Sequence, residues 1–560
     1  MTDVVQPSIS RRTLLTGLGA GAAALSLARW PQAYAAAAPF VHGVASGDPL
    51  PNRVIIWTRV TPSADAVPGS GVGGVATVQW EVASDASFGT IVRSGTVSTS
   101  AAQDHTVHVD VDGLMPATRY WYRFRALGAT SRVGRTKTAA AAGSQAPVRF
   151  GVVSCANYDW GWFVPYRFLA TRTDLDAVLH LGDYLYEYAP GGVLGDVPKN
   201  PRNAQPLHEC ITLSDYRVRH GCYKLEENLQ DLHAAHPMVA VWDDHEIAND
   251  TWRDGAENHD PATEGDWTTR ANAGRRAFLD WLPIRHTDPN DWARVNRRLK
   301  FGDQVDLWML DERRFRSQPP SSVLLGYGYL GNASSDPNAT MLGDEQEHWL
   351  ASGLAASTSK WKVLGNQVPF FPQVLLASVP GQITSLLGPE LSAKLEEPLA
   401  QLYVEDWNGF LAQRQRIVDA MARINGVVVL TGDVHQSFAS EIPKRTSSYL
   451  LDRVSAGVEF VTPGVASPSV QTMINQLAPG VGNLVDTVLN TNNLLANPWV
   501  KYSEGIRTGC MIVDFANSRV QADWYLVADG ANPNSSISHA SSWQSVAGSK
   551  RVTKATAALQ

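Results

Sequence analysis

Ala177-Val178-Leu179-His180-Leu181-Gly182-Asp183-Tyr184-Leu185-Tyr186 is a short apolar run that stops at a glycine and a carboxylate. It reads as a buried strand that delivers polar residues to its end. The same arrangement recurs along the chain. Val148 to Val153 runs into Ser154-Cys155, and Met238 to Trp242 into Asp243-Asp244-His245. Val305 to Leu310 runs into Asp311, Trp361 to Leu364 into Gly365-Asn366, and Val427 to Leu430 into Thr431-Gly432-Asp433. Helical stretches separate these runs, and that alternation predicts an α/β domain with buried strands. Ligands of such sheets bind beyond the carboxyl ends of the strands, which is where the polar residues fall.

Upstream the pattern changes. Between about Pro39 and Thr138, the segments Val54 to Val60, Val75 to Val82, Thr106 to Val111 and Tyr120 to Ala126 are β-branched or aromatic and separated by Gly- and Pro-containing turns. This predicts an antiparallel sandwich, and Gly113 to Tyr122 resembles the tyrosine-corner segment of fibronectin type III and immunoglobulin-like modules. Ala139 to Ala146 reads as a linker. The segment from Leu375 to Leu399 reads as a partly helical insertion covering the site. Residues 516–518 connect a C-terminal hairpin. The expected organisation is a signal segment over 1–35, a sandwich over 39–138, a catalytic domain over 147–530 and a tail over 531–560.

A chain of 560 residues with 44% hydrophobic content is long enough for at least two cores. Its formal charge of -7 supplies no cationic field for nucleic acid. A phosphorylated substrate therefore has to be met by metals or by a few arginines. Ser10-Arg11-Arg12-Thr13-Leu14-Leu15, a mild apolar run from Thr16 to Ala28 and Ala33-Tyr34-Ala35 read as a twin-arginine export signal with its cleavage site. The apolar run is short of the roughly 20 residues that a membrane span needs. The expected location is thus secreted, periplasmic or cell-wall associated, with the twin-arginine machinery as a partner and no anchor after signal removal. Of the four cysteines, Cys210 and Cys222 are close enough in sequence for a local bridge, a question the sequence leaves open.

The chemistry sits at the strand ends. Asp183 can bridge two cations, and Tyr186, three residues on, can reach the same ion; phenolate is a hard donor suited to iron(III). Asp433 and His435, two residues apart in extended chain, face the same side. Asp244 and His245 end another strand, and Cys155 puts a thiol at the end of the domain's first one. Each fragment alone is weak, but their order along the chain is specific.

These blocks resemble the alkaline phosphatase D family, a branch of the calcineurin-like metallophosphoesterases. The resemblance is carried by Phe40-Val-His-Gly-Val-Ala-Ser-Gly-Asp-Pro49, Ser154-Cys155, Gly182-Asp-Tyr-Leu-Tyr186, Trp242-Asp-Asp-His-Glu246 and Gly432-Asp-Val-His435. It implies a layered α/β/β/α metallophosphoesterase domain behind the sandwich, and an exported enzyme hydrolysing phosphate esters with metal-activated water. It further implies an iron-type site of Cys155, Asp183, Tyr186 and His435, and a calcium-like site in which bridging Asp183 is joined by Asp244 and Asp433, other divalent metals being possible. His245, beside a metal ligand, would then donate a proton to the leaving group or hydrogen-bond a phosphoryl oxygen. Against the general superfamily pattern, Cys155 stands where an Asp-x-His opening is usual, Asp244-His245 replaces Asn-His, and Asp433-x-His435 replaces His-x-His. Carboxylates in place of nitrogen donors harden the second site toward calcium. Asn366 is a candidate for the separate metal histidine, and Arg313, with Arg314 and Arg316 nearby, for a phosphate contact. Two alternatives remain: a phosphodiesterase or phospholipase-D-like enzyme using the same site, and a non-catalytic secreted binding protein. A serine hydrolase is disfavoured by the lack of a Gly-x-Ser-x-Gly elbow after a strand.

Overall fold

The computed structural model describes residues 39–191, 202–320, 336–374, 405–469, 471–472, 475, 480 and 482–559. The expected signal segment and the expected insertion from Leu375 to Leu399 lie outside them. The described chain opens with β1 (Val44–Leu50), β2 (Arg53–Arg59), β3 (Ala76–Ala83), β4 (Ile91–Thr99), β5 (Thr106–Val111), β6 (Arg119–Ala126), β7 (Ala129–Thr130) and β8 (Gly134–Lys137). Next come β9 (Val148–Val153), α1 (Val164–Thr171), β10 (Ala177–His180), α2 (Leu213–Lys224), α3 (Glu227–Ala235) and β11 (Pro237–Ala240). Then α4 (Trp267–Trp281), β12 (Arg297–Phe301), β13 (Val305–Met309), α5 (Gly343–Ala356), β14 (Trp361–Asn366), α6 (Leu411–Ala422) and β15 (Val427–Thr431) follow. The chain ends through β16 (Ser437–Pro443), β17 (Ser455–Val461), α7 (Gly482–Ala496), β18 (Val500–Glu504), β19 (Gly509–Phe515), β20 (Arg519–Val527), β21 (Ile537–Val546) and β22 (Thr553–Lys554).

Two large sheets carry the site. A ten-stranded sheet has the order β22-β21-β20-β19-β9-β10-β11-β1-β2-β5, and a seven-stranded sheet the order β12-β13-β14-β15-β17-β16-β18. The central strands β9, β10 and β11 are parallel, as are β13, β14, β15 and β17. The inner faces of both sheets meet in one apolar core, where Phe150, Val152 and Leu179 join Leu307, Met309, Val363, Leu430 and Phe460. Strands buried on both faces must be apolar throughout, which is why these segments read as continuous hydrophobic runs. The outer face of the seven-stranded sheet is covered by Leu350 and Leu354 of α5 and Ile417, Val418 and Met421 of α6. The result is the layered α/β/β/α architecture that the resemblance implies.

The remaining sheet runs β4-β3-β6-β7, with β8 on β6. It packs against β1, β2 and β5 through Val54, Ile56, Val78, Val82, Tyr122 and Phe124, forming the expected sandwich. The Tyr120 hydroxyl accepts the Met115 N–H at 2.9 Å, closing the expected tyrosine corner. One side of the sandwich is not separate, however. β1 pairs in parallel with β11, so the second layer of the sandwich and the catalytic sheet are one sheet. A second correction concerns residues 531–560, read as a tail. There β21 pairs with β20 and β22 with β21, extending the large sheet. Ile537–Val546 is Ser-rich and only partly covered, so it lacks the apolar alternation by which a strand is recognised. Cys210 and Cys222 are both free and buried, and make no bridge. Among the described residues, no helix is long and apolar enough to cross a membrane.

Candidate metal centre

The loops after β9, β10, β11 and β15 converge. Ligand atoms of Cys155, Asp183 and His435 lie within 4.8 Å of one another, as do those of Asp183, Asp244 and His245. A further group, Asp183, Asp243, Asp244 and Asp433, meets the same limit. Asp183 belongs to all of them. The backbone is bent to achieve this: Cys155, Asp183, Asp433 and His435 have φ of 57°, 53°, 66° and 54°. Non-glycine residues take this left-handed conformation at a cost, and it concentrates at functional sites. Gly182 lets the turn close, since a Cβ there would lie 2.3 Å from Asp243 Cβ.

Hydrogen bonds lock the loops to one another. Cys155 N–H donates to the Gly182 carbonyl at 3.2 Å and Ala156 N–H to the Asp183 carbonyl at 2.9 Å. Glu246 accepts the N–H groups of Asp183, Tyr184 and Asp243 at 3.2, 2.5 and 2.7 Å, tying the β10 and β11 loops into one unit. Asp244 accepts from its neighbours His245 N–H at 3.0 Å and Asp250 N–H at 2.6 Å. Tyr186 Oη stands 3.1 Å from both Asp183 Oδ2 and His435 Nε2 and 2.9 Å from Ser467 Oγ. His435 Nδ1 lies 2.8 Å from the Pro468 carbonyl, which can only accept, so Nδ1 carries the proton and Nε2 keeps a lone pair facing Tyr186.

His245 is held differently. Its Nδ1 lies 2.7 Å from Glu187 Oε2, while Glu187 Oε1 accepts the Asn249 N–H at 2.7 Å. The imidazole also stacks near Tyr186, with ring centres 4.1 Å apart. Burial works against charge on His245, but the carboxylates of Glu187, Asp244 and Asp183 outweigh it and hold its pKa well above the ordinary value.

The acids report the opposite imbalance. Burial pushes Asp183 well up, with Asp244, Asp243 and Glu246 adding repulsion; burial and Asp243 do the same to Asp433. Burial, then Asp183 and Asp433, raises the Cys155 thiol, and burial with Asp183 and Cys155 raises the Tyr186 phenol. Glu246 is pushed up to about 8, chiefly by burial. Asp244 is the exception: against the burial cost, Arg313 and His245 hold it low. His435 is lowered to about 4 by burial, so it stays a neutral donor. Clustered anionic donors with too little positive charge are what a cation corrects, because bound metal requires its ligands deprotonated. Asp183 Oδ1 and Asp243 Oδ2 are buried acceptors with no protein donor, which also fits a cation.

Of the other nominated residues, Arg313 is fully drawn in: its Nε donates to Asp243 Oδ1, and its Nη2 lies 3.6 Å from Asp244 and 3.4 Å from Asp433. Arg314 instead pairs with Asp291, and Arg316 donates to the Glu405 carbonyl. Asn366 is buried beside Thr431, with Nδ2 donating to the Val368 carbonyl and Oδ1 without a partner. The nomination missed Asp243, Glu187, Glu246 and Ser467. Asp243 and Glu246 lie inside the Trp242 to Glu246 motif and Glu187 follows Tyr186, so their positions were visible and their roles were not. Ser467 follows β17, and nothing in its sequence neighbourhood marks it.

Comparisons with known proteins agree with this geometry. The PhoD-like phosphatase family model matches residues 150–524, and the model of that family's N-terminal domain matches residues 24–140. Alkaline phosphatase D of Bacillus subtilis (strain 168) is 34% identical over 510 residues, covering 89% of this chain and 79% of the relative. A solved structure of PhoD superposes with a TM-score of 0.76 at 29% identity, covering 93% of each chain. A purple acid phosphatase from yellow lupin (Lupinus luteus) seeds superposes with a TM-score of 0.50 at 12% identity, over 90% of this chain and 73% of that one, which speaks to the fold alone.

Proposed function

Because the chain belongs to the PhoD-like phosphatase family and is a phosphoric ester hydrolase, we infer that Cys155, Asp183, Tyr186 and His435 hold iron(III), while Asp183, Asp244 and Asp433 hold a calcium-type ion. One observation carries the reading. A phenol, a carboxylate, an imidazole lone pair and a thiol converge on a single buried point, and hard anionic donors with a thiolate select a trivalent iron-like ion. The all-carboxylate second group suits a hard divalent ion. Bound cations at such a pair supply Lewis acidity and a nucleophilic water at working pH.

The chain's own residues do the rest. Glu187 fixes the His245 ring and stabilises its charged form, which leaves Nε2–H as the proton source for the departing alkoxide. Glu246 keeps the Asp183 and Asp243 loops in register through backbone N–H groups. Ser467 Oγ donates to the Cys155 carbonyl at 2.7 Å and touches the Tyr186 hydroxyl, holding phenol and thiol on the same side. Asn366, whose buried Oδ1 has no partner, stays a candidate oxygen donor for the centre, and Arg313 is the positive charge at its second half.

The proposed reaction is alkaline-phosphatase-like hydrolysis of phosphate esters outside the cytoplasm, after twin-arginine export. The test is the ratio of hydrolysis rates for aryl mono- and diesters by purified protein. A monoester preference that disappears in Asp183→Asn supports the reading, and a diester preference replaces it with a phosphodiesterase. Replacing Arg11 and Arg12 by lysine is expected to leave the protein inside the cell, and unaltered export of that variant contradicts the route.

A further inference from the structure

Arg313 is an unusual neighbour for a cation site. Its side chain is 1% exposed, and it reaches three of the four carboxylates of the second acidic group. The contacts are unequal. Nε is committed to Asp243, whereas Nη2 hovers 3.6 Å from Asp244 and 3.4 Å from Asp433, beyond the roughly 2.7–2.9 Å of a charge-assisted hydrogen bond. Its Nη1 is buried without an acceptor. The guanidinium is therefore pinned by Asp243, with a longer contact to Asp433 Oδ1 and a looser one to Asp244 Oδ1.

A buried arginine–aspartate pair alone has a plain structural reading, since a lone buried charge is costly and a partner relieves it. Here the same guanidinium also faces two of the carboxylates assigned to the cation. Even with Asp183 shared with the iron-type site, Asp243, Asp244 and Asp433 carry more negative charge than a single divalent ion offsets, and calcium affinity follows ligand charge count. We propose that Arg313 is a built-in counter-cation of the second site: by pairing with Asp243 Oδ1 it offsets that acid's charge and sets how tightly Asp183, Asp244 and Asp433 grip a divalent ion. This rests on the reading of the second group as a calcium-type site.

The roles of Arg313 and Asp243 are opposite, so their variants shift binding in opposite directions. Arg313→Gln frees Asp243 and removes a repelling charge. Asp243→Asn frees the guanidinium to close on Asp244 and Asp433, where it competes with the ion. The double variant restores the charge count, which makes the set a double-mutant cycle.

Calcium chloride titrated calorimetrically into EGTA-treated and dialysed protein reads both affinity and stoichiometry. Arg313→Gln is expected to bind calcium at least about tenfold more tightly or to take up one further equivalent, and Asp243→Asn to bind about tenfold more weakly. The double variant is expected to fall near the wild type. Unchanged affinity and stoichiometry in folded Arg313→Gln overturns the proposal, as does weaker binding, which would make Arg313 a prop for the ligands. If Arg313→Gln does not fold, unchanged binding by Asp243→Asn overturns it equally. A wild-type protein that binds no calcium fails the second-site reading itself, and is distinguished from these outcomes by its own titration.

Discussion

Two groups of ionisable side chains are buried a few residues apart, and they meet burial in opposite ways. At the strand ends, Asp183, Asp243, Asp244 and Asp433 crowd within one another's reach. On the other side of Tyr184 lie His42, His180, His220, His233 and Lys224, all essentially inaccessible. Tyr184 touches both: its N–H reaches Glu246, and its hydroxyl lies 2.9 Å from His233 Nε2. The bases are dispersed over aromatic faces. His220 stacks parallel to Trp281 at 6.2 Å, Lys224 Nζ lies 4.4 Å from the centre of the Trp57 ring, and His180 Nε2 is 2.8 Å from Tyr166 Oη. Burial drives Lys224, His220 and His233 far toward their neutral forms and lowers His180 to about 3. A base answers burial by giving up its proton and then needs no counterion. Acids that must stay deprotonated to act as ligands need positive charge brought from outside. The base group is a packing solution and the acid group a candidate binding site.

That contrast can be attacked from several sides. The largest effect is expected for Asp183→Asn, which removes the carboxylate common to every cluster; a loss of at least about a hundredfold in turnover is expected, and near wild-type turnover would break the comparison. Next, stripping cations with a chelator should destabilise the protein by about 3 kcal/mol if the ions were near a hundredfold above their Kd. Calorimetry with and without chelator reads this, and an identical Tm means the acids are content without metal.

Glu187→Gln tests the charged state of His245. It is expected to slow alkyl phosphate hydrolysis by about 10- to 100-fold, and aryl phosphate hydrolysis much less, because a good leaving group needs no proton. Equal losses for both substrates would leave Glu187 a merely structural partner. The base group predicts a pH dependence whose sign is fixed. A histidine with a folded pKa below its unfolded value of about 6.5 binds more protons when unfolded, so stability falls as pH drops through that value. For His180 the decline continues to its folded value of about 3, and His180→Phe should flatten the acid limb of a Tm–pH curve. The smallest effect is Lys224→Met, which trades a desolvated amine for an isosteric apolar chain and is expected to raise stability by about 1 kcal/mol. A clear loss would mean that Lys224 is held charged.

Much of the candidate metal centre was legible because its residues mark where apolar strands stop, as Cys155, Asp183, Asp244 and Asp433 do. Partners that depend on the folded loops were not. Glu187 follows the Tyr186 motif and Glu246 ends its own, and only the convergence of the β10 and β11 loops gives one a histidine and the other three N–H groups. The base group is invisible in sequence, since His42 precedes β1 and its fellows come from β10, α2 and α3. The sandwich was recognised from its alternation and its tyrosine corner, but the join between β1 and β11 is a parallel pairing over long separation that no local pattern records. The final strands escaped because Ser-rich segments with partial cover lack an apolar face.

The most direct test of the central claim is the visible spectrum and metal content of the purified protein. The account predicts bound iron with a tyrosinate or thiolate charge-transfer band that shifts in Tyr186→Phe and in Cys155→Ser. A colourless protein holding only zinc, unchanged by either substitution, would contradict it.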